Sequence, residues 1–164
     1  MIYLELLKAM EDKEIRYVVV GGVAVVLHGF VRATMDLDLV VSLEAGNTGK
    51  FLQLVKELGY RPKVPVPLED FANVDKRQEW VKTKGMRVFS LYHSKRVQEL
   101  VDVFVEEPIP FEVLYGRRIR VSIGDCAINV ASSGDLKTLK RLASRPQDLE
   151  DVRALEELEM RKKS

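Results

Sequence analysis

The sequence predicts an α/β (α+β) fold, a mixed β-sheet flanked by helices with a helical tail at its C-terminal end. Three observations carry this. Short β-branched runs alternate with segments of helical period. The run Asp36-Leu37-Asp38-Leu39-Val40-Val41 opens with the polar–apolar alternation of a strand that has one face uncovered. Everything from Ser133 onward has helical spacing.

Taken in order, Leu4, Leu7 and Met10, with Ile2, Leu6 and Ile15 nearby, make residues 2–14 an amphipathic helix. Tyr17–Val20 is a strand stopped by Gly21-Gly22, and Val23–Phe30 has room for a short helix. The next strand runs from Asp36 to Val41. Phe51–Leu58 places Phe51, Leu54, Val55 and Leu58 on one stripe, a helix that Gly59 ends. Three prolines between Tyr60 and Leu68 predict an extended connector, and Phe71–Lys84 is weakly helical. Met86–Leu91 and Leu100–Val105 are two strands. Ile119–Ile123 and Ala127–Val130 are two more, joined by the turn signal Gly124-Asp125. Ser133 or Asp135 caps a helix through Leu142, and Pro146 opens a last helix whose basic end, Arg161-Lys162-Lys163, suits its dipole.

Composition bounds the function. The 164 residues suit one domain, 1–164, with a real core; 46% are apolar and 31% charged, which excludes a disordered chain. Basic and acidic residues number 26 and 25, a net charge of +1 that lacks the basic excess of a nucleic-acid scaffold. Cys126 is the only cysteine, so neither an intramolecular disulfide nor a cysteine zinc site is available, and its apolar surroundings suit a buried, inert thiol. The first ten residues read as helix rather than a cleavable signal. The longest apolar stretch, Tyr17–His28, is broken by two glycines and too short for a bilayer, so no membrane partner and a cytoplasmic location are expected.

The chemistry concentrates in Gly21–Val41. A strand ends in two glycines, a helix follows, and a second strand opens with two carboxylates at i and i+2, which share a face. Glycines let the backbone N–H groups approach an anion closely. Hard carboxylate oxygens suit magnesium, which also binds substrate phosphates. A third acid should come from a neighbouring strand, and Asp102 is a lone carboxylate within Leu100-Val101-Asp102-Val103-Phe104-Val105. Such a charge needs a partner, and a cation shared with Asp36 and Asp38 is one.

These residues resemble the nucleotidyltransferase superfamily: an apolar strand, Gly-Gly, a spaced Asp-x-Asp and a later third acid. The similarity is closest to the branch of abortive-infection nucleotidyltransferase toxins and aminoglycoside nucleotidyltransferases. It rests on Gly21, Gly22, Ala24, His28, Gly29, Arg32, Thr34, Asp36 and Asp38, then Asp135, Leu136, Leu139 and Lys140, then Arg145, Asp148 and Asp151. Residues 44–97 are largely unmatched. The resemblance implies the nucleotidyltransferase fold and transfer of a nucleoside monophosphate from a nucleoside triphosphate such as ATP to an acceptor hydroxyl, releasing pyrophosphate. It makes Asp36, Asp38 and Asp102 catalytic residues and ligands of Mg2+, two ions being expected with bound triphosphate. It makes Gly21, Gly22, Arg32 and Lys140 nucleotide contacts. The family often has serine at the position of Gly22, a hydroxyl missing here. The acceptor stays open between a small molecule, a tRNA and a protein, and a partner protein or homodimer is possible. A catalytically inert nucleotide-binding or toxin–antitoxin interaction protein on the same fold is the alternative.

Plainer readings stand beside these. Gly21-Gly22 also suits a tight turn, and Asp36 and Asp38 a solvated strand face. Arg32 suits an ion pair as well as a phosphate, and Lys140 an ordinary exposed helix position as well as a nucleotide contact. His28 reads as structural. Arg145, Asp148 and Asp151 read as ion pairs and caps at a helix start. Trp80 is isolated, with no aromatic platform around it. A side chain at Gly22 is expected to block phosphates while sparing the fold.

Overall fold

The computed structural model describes residues 2–163. Its strands are β1 (Tyr17–Val20), β2 (Asp36–Val41), β3 (Tyr60–Pro62), β4 (Val88–His93), β5 (Leu100–Phe104), β6 (Ile119–Ile123) and β7 (Cys126–Val130). They form one mixed sheet of seven strands in the order β3-β4-β5-β2-β1-β7-β6. β2 is the hinge of this arrangement, antiparallel to β1 and parallel to β5, so the three strands that carry the expected site are neighbours.

The period-two pattern decides which face is covered. Leu37 and Leu39 on β2, Val101 and Val103 on β5, and Phe89 and Leu91 on β4 are fully buried on one face. That face packs under α3 (Ala45–Glu57), a 3-10 turn at Leu68–Ala72 and α4 (Val74–Lys84), through a chain of rings from Phe51 to Phe71 to Phe89 to Trp80. The residues between them, Asp36, Asp38, Val88, Ser90, Tyr92, Leu100, Asp102 and Phe104, are only half-buried on the other face. Burial tightens again at β1, where all four residues are buried and α2 (Gly21–Leu27) packs on β1 and β2. The remaining helices are α1 (Leu4–Asp12), α5 (Phe111–Gly116), α6 (Ser133–Ala143) and α7 (Pro146–Lys163), the last two packed together beside α2. Among the described residues no helix is long and apolar enough to cross a membrane.

Several boundaries differ from the sequence reading, each for a physical reason. α2 starts at Gly21 rather than Val23, because Gly21 itself makes the turn, at φ 70°. It stops at Leu27 rather than Phe30, since Gly29 turns the chain at φ 116°. α3 starts at Ala45, ahead of Phe51, because its first turn is held by polar groups that apolar spacing cannot reveal. The Asn47 amide donates to the Arg16 and Ser42 carbonyls (3.0 and 2.9 Å) and accepts from the Arg16 N–H (2.8 Å). The proline connector contains the edge strand β3, and β4 runs two residues later than expected, ending at His93. Asn73 and Gly85 cap α4, a full helix with little amphipathic signal. α5 was not expected from the sequence. Ser132, rather than Ser133 or Asp135, caps α6 by accepting the Asp135 N–H at 3.1 Å.

The ring stack fixes the covered face of β4 in place. Phe89 lies parallel to Trp80 at 5.2 Å and against Phe71 at 5.6 Å. Phe89→Ala is expected to lower the unfolding free energy by about 3–5 kcal/mol in urea titrations; a loss under about 1 kcal/mol would contradict this packing.

Candidate active site

Strand register gathers the acids. Asp38 on β2 lies directly beside Asp102 on β5, and Asp102 directly beside Ser90 on β4. Residues so paired share a face with Cβ atoms about 4.5–5.5 Å apart, and Asp36 follows two residues from Asp38 on that face. The Ser90 hydroxyl donates to Asp102 Oδ1 at 2.6 Å. Sequence reading passed over Ser90; its one signal is a hydroxyl inside the apolar run Val88-Phe89-Ser90-Leu91.

Asp38 also meets the turn before α2. A Cβ on Gly21 would overlap the Asp38 carboxyl, and the positive φ there excludes most side chains independently. A Cβ on Gly22 would come within 2.5 Å of Thr34 Oγ1 and 2.7 Å of Arg32 Nη2. A side chain at Gly22 therefore has to push aside the Thr34 hydroxyl and the Arg32 guanidinium, the side-chain ends that stand over it.

Beside the acids opens a cavity of about 510 Å³ lined by Gly21, Gly22, Arg32, Asp36, Asp38 and Lys140, with apolar walls that include Met35, Phe104 and Leu136. That volume lies in the range of small-molecule and cofactor sites. Asp102 is not among its lining residues and sits outside it, on the open sheet.

Lys140 is buried, which overturns its reading as an exposed helix lysine. Its Nζ lies 2.9 Å from Asp151 and 3.3 Å from Asp148, both almost fully buried on the first turns of α7. Arg32 Nη2 donates to Asp151 Oδ2 at 2.9 Å. Its Nε lies equally near Oδ1 but points off the line of a hydrogen bond, so that contact is purely an ion pair. Asp148 accepts from the backbone and side chain of Arg145 (3.1 and 2.8 Å), the cap expected at this helix start. The ion-pair reading of Arg145, Asp148 and Asp151 holds: the two acids are buried and between them pair with three cations of the cavity wall, Arg32, Lys140 and Arg145. His28 is structural, its Nε2 2.8 Å from the Ala131 carbonyl oxygen.

The electrostatics divide the site in two. Burial, then repulsion from Asp102 and Asp36, pushes the Asp38 carboxyl up to about 7 against the pull of Lys140 and Arg145. Asp36 is raised by burial and Asp102, with Lys63 opposing. For Asp151 burial acts upward as well, but hydrogen bonds from Lys140 and Arg32 outweigh it and hold the carboxyl below its ordinary range. Asp148 is likewise lowered, its burial outweighed by Arg145 and Lys140. Among the described residues no three acid, histidine or cysteine side chains are drawn into a closed metal cage. The three acids point to a common open face instead.

No protein-family model matches the chain, and no curated protein matches it in sequence. Solved structures do match in fold. The lincosamide antibiotic adenylyltransferase LnuA, solved with lincomycin bound, is 18% identical with TM-score 0.63, over 94% of each chain. ANT(2")-Ia, solved in complex with adenylyl-2"-tobramycin, is 15% identical with TM-score 0.61, over 97% of this chain and 91% of that one. An antigenic nucleotidyltransferase-like protein from Paracoccidioides brasiliensis is 16% identical with TM-score 0.58, over 94% of this chain and 73% of that one. The chain has the nucleotidyltransferase fold.

Asp151→Asn leaves Lys140 and Arg32 short of charge inside the protein, and is expected to cost about 3–5 kcal/mol at pH 7. Because the Asp151 carboxyl is depressed in the folded state, its contribution is complete above its unfolded value and lost as pH falls through the folded one. Urea unfolding of parent and variant should therefore differ widely at pH 7, and the difference should shrink as pH falls below the ordinary carboxylate range. A difference that stays constant as pH falls would contradict the buried pairing.

Proposed function

We propose that residues 1–164 act as one nucleotidyltransferase domain, moving a nucleoside monophosphate from a nucleoside triphosphate to an acceptor hydroxyl. The observation that carries this is Asp36, Asp38 and Asp102 in register on one open sheet face, beside a glycine turn and a cavity with a basic wall, on a fold shared with antibiotic adenylyltransferases.

The residues suit a magnesium site. Their donors are all carboxylate oxygens, the ligands Mg2+ prefers, and the burial and neighbouring acids that raise Asp38 are what a cation bound among the three carboxylates would oppose. Asp36, Asp38 and Asp102 would hold the metal, two ions with the triphosphate bound. Bound there, magnesium would neutralise phosphate charge and stabilise the attacking and leaving oxygens.

The chain's own groups do the rest. The backbone of Gly21-Gly22 can approach the phosphates closely, and Lys140 and Arg32 supply positive charge at the cavity wall. Ser90 donates to one oxygen of Asp102, which fixes that carboxylate and leaves Oδ2 to accept the proton of the attacking hydroxyl. The acceptor oxygen bonds to the α-phosphorus, the bond from that phosphorus to the oxygen bridging to the β-phosphorus breaks, and pyrophosphate leaves. The cytoplasm, where nucleoside triphosphates are plentiful, is the natural setting.

Incubation with each α-labelled triphosphate, magnesium and cell extract is expected to label one acceptor class, and Asp102→Asn to abolish the labelling. In melting experiments Asp38→Asn should hold or raise the melting temperature in EDTA, since it removes a like-charge contact, and should lose the stabilisation that magnesium plus triphosphate gives the parent. If the parent melt ignores magnesium and all four triphosphates, and nothing becomes labelled, the enzyme reading is wrong.

A further inference from the structure

The open face that carries the acids continues past them to the edge of the sheet. Strand pairing sets two rows across four strands. One runs from Asp38 through Asp102 and Ser90 to Lys63, whose N–H donates to the Ser90 carbonyl at 2.9 Å. The other runs from Asp36 through Leu100 and Tyr92 to Arg61. Directly opposite residues share a face, so Arg61 and Lys63 stand on the same side of the sheet as the three acids. At about 4.8 Å per strand, Lys63 lies two strands or about 10 Å from Asp102 along the backbone, within reach of a lysine side chain leaning inward.

Both cations are exposed, and among the described residues neither makes an ion pair or side-chain hydrogen bond. They contrast with the cavity wall, where Lys140 and Arg32 are paired with α7 acids. Between them and the acids lie a hydroxyl, Ser90, the half-buried ring of Tyr92 and the apolar side chain of Leu100. The triphosphate cavity opens on the opposite side of the acids, toward Gly21 and α6.

Resting on the nucleotidyltransfer reading, we infer that this strip is the acceptor subsite, and that the acceptor is a small hydroxyl compound carrying a phosphate, its hydroxyl at Asp102 and its phosphate at Arg61 and Lys63. Two unpaired cations match one dianion, with arginine offering a planar fork and lysine a point charge. The same pair repels a polycationic aminoglycoside, so positive charge here acts against that class as well as for the phosphate. Polynucleotides fit poorly: binding through six to ten phosphate contacts requires a basic stripe, and this chain has a net charge of +1.

The test uses a deproteinised cell extract, split by ultrafiltration into small and polymeric material, the small part then divided on anion and cation exchangers. Each fraction is offered to the full chain with magnesium and the α-labelled triphosphate it binds. Label should pass to the small, anion-retained fraction and vanish when that fraction is first treated with phosphatase. Arg61→Ala/Lys63→Ala should need at least tenfold more of the fraction for half-maximal labelling. Its calorimetric affinity for magnesium–triphosphate should stay within twofold of the parent, and its melting temperature should match. Label in polymeric, unretained or cation-retained material, indifference to phosphatase, or an unaffected double variant would overturn the inference. So would no labelled fraction from a chain that still binds magnesium–triphosphate. Failure to bind the triphosphate overturns the nucleotidyltransfer reading itself, and the inference with it.

Discussion

The pairing of Asp38 with Asp102 across parallel strands is the constraint on which the site depends. Like charges directly opposite on a sheet destabilise it, and here a third acid, Asp36, adds to the same field. The sheet keeps this arrangement because its other face is a continuous core: Leu37, Leu39, Val101, Val103, Phe89 and Leu91 are all buried against helices and aromatic rings. A one-residue slip between β2 and β5 would break the pairing of Asp38 with Asp102 and set the alternation of the two strands against each other. Core packing thus fixes the register, and the register holds the acids together.

Across the cavity the charge problem is solved in the opposite way. Lys140 and Arg32 are held by Asp148 and Asp151 on α7, so their side chains are fixed before any ligand arrives. Arg32 belongs to the loop that leads into β2, and its contact with Asp151 ties that loop to the C-terminal helix, 119 residues away in sequence. The two halves therefore differ in what they lack. The acids repel one another and accept positive charge, while the basic wall is already oriented and half neutralised. A magnesium triphosphate supplies charge of both signs, which suits a site divided in this manner.

Much of this was legible in the sequence where side chains alone carry the signal. The i, i+2 spacing of Asp36 and Asp38, the isolation of Asp102 in an apolar strand and the paired glycines gave the strand order around the site and its acidic face. Legibility failed where structure rests on polar satisfaction or on distant partners. The first turn of α3 is held by Asn47 on backbone groups of another segment, and α5 lies in a six-residue stretch too short for periodicity to show. The burial of Lys140 follows from a contact with α7 that no local pattern encodes. Ser90 and the edge cations Arg61 and Lys63 gain meaning only once β3 and β4 are paired in register beside the acids.

The central claim is that the three acids form one cation site. Crystals grown with Mn2+ and a non-hydrolysable triphosphate analogue test it most directly, because manganese scatters anomalously and takes oxygen ligands as magnesium does. The account predicts an anomalous peak within about 2.2 Å of carboxylate oxygens from Asp36 and Asp38, with Asp102 on a peak of its own or sharing that one, and phosphate density running from there over Gly21-Gly22. A triphosphate lodged elsewhere, or manganese found away from all three acids, would contradict it.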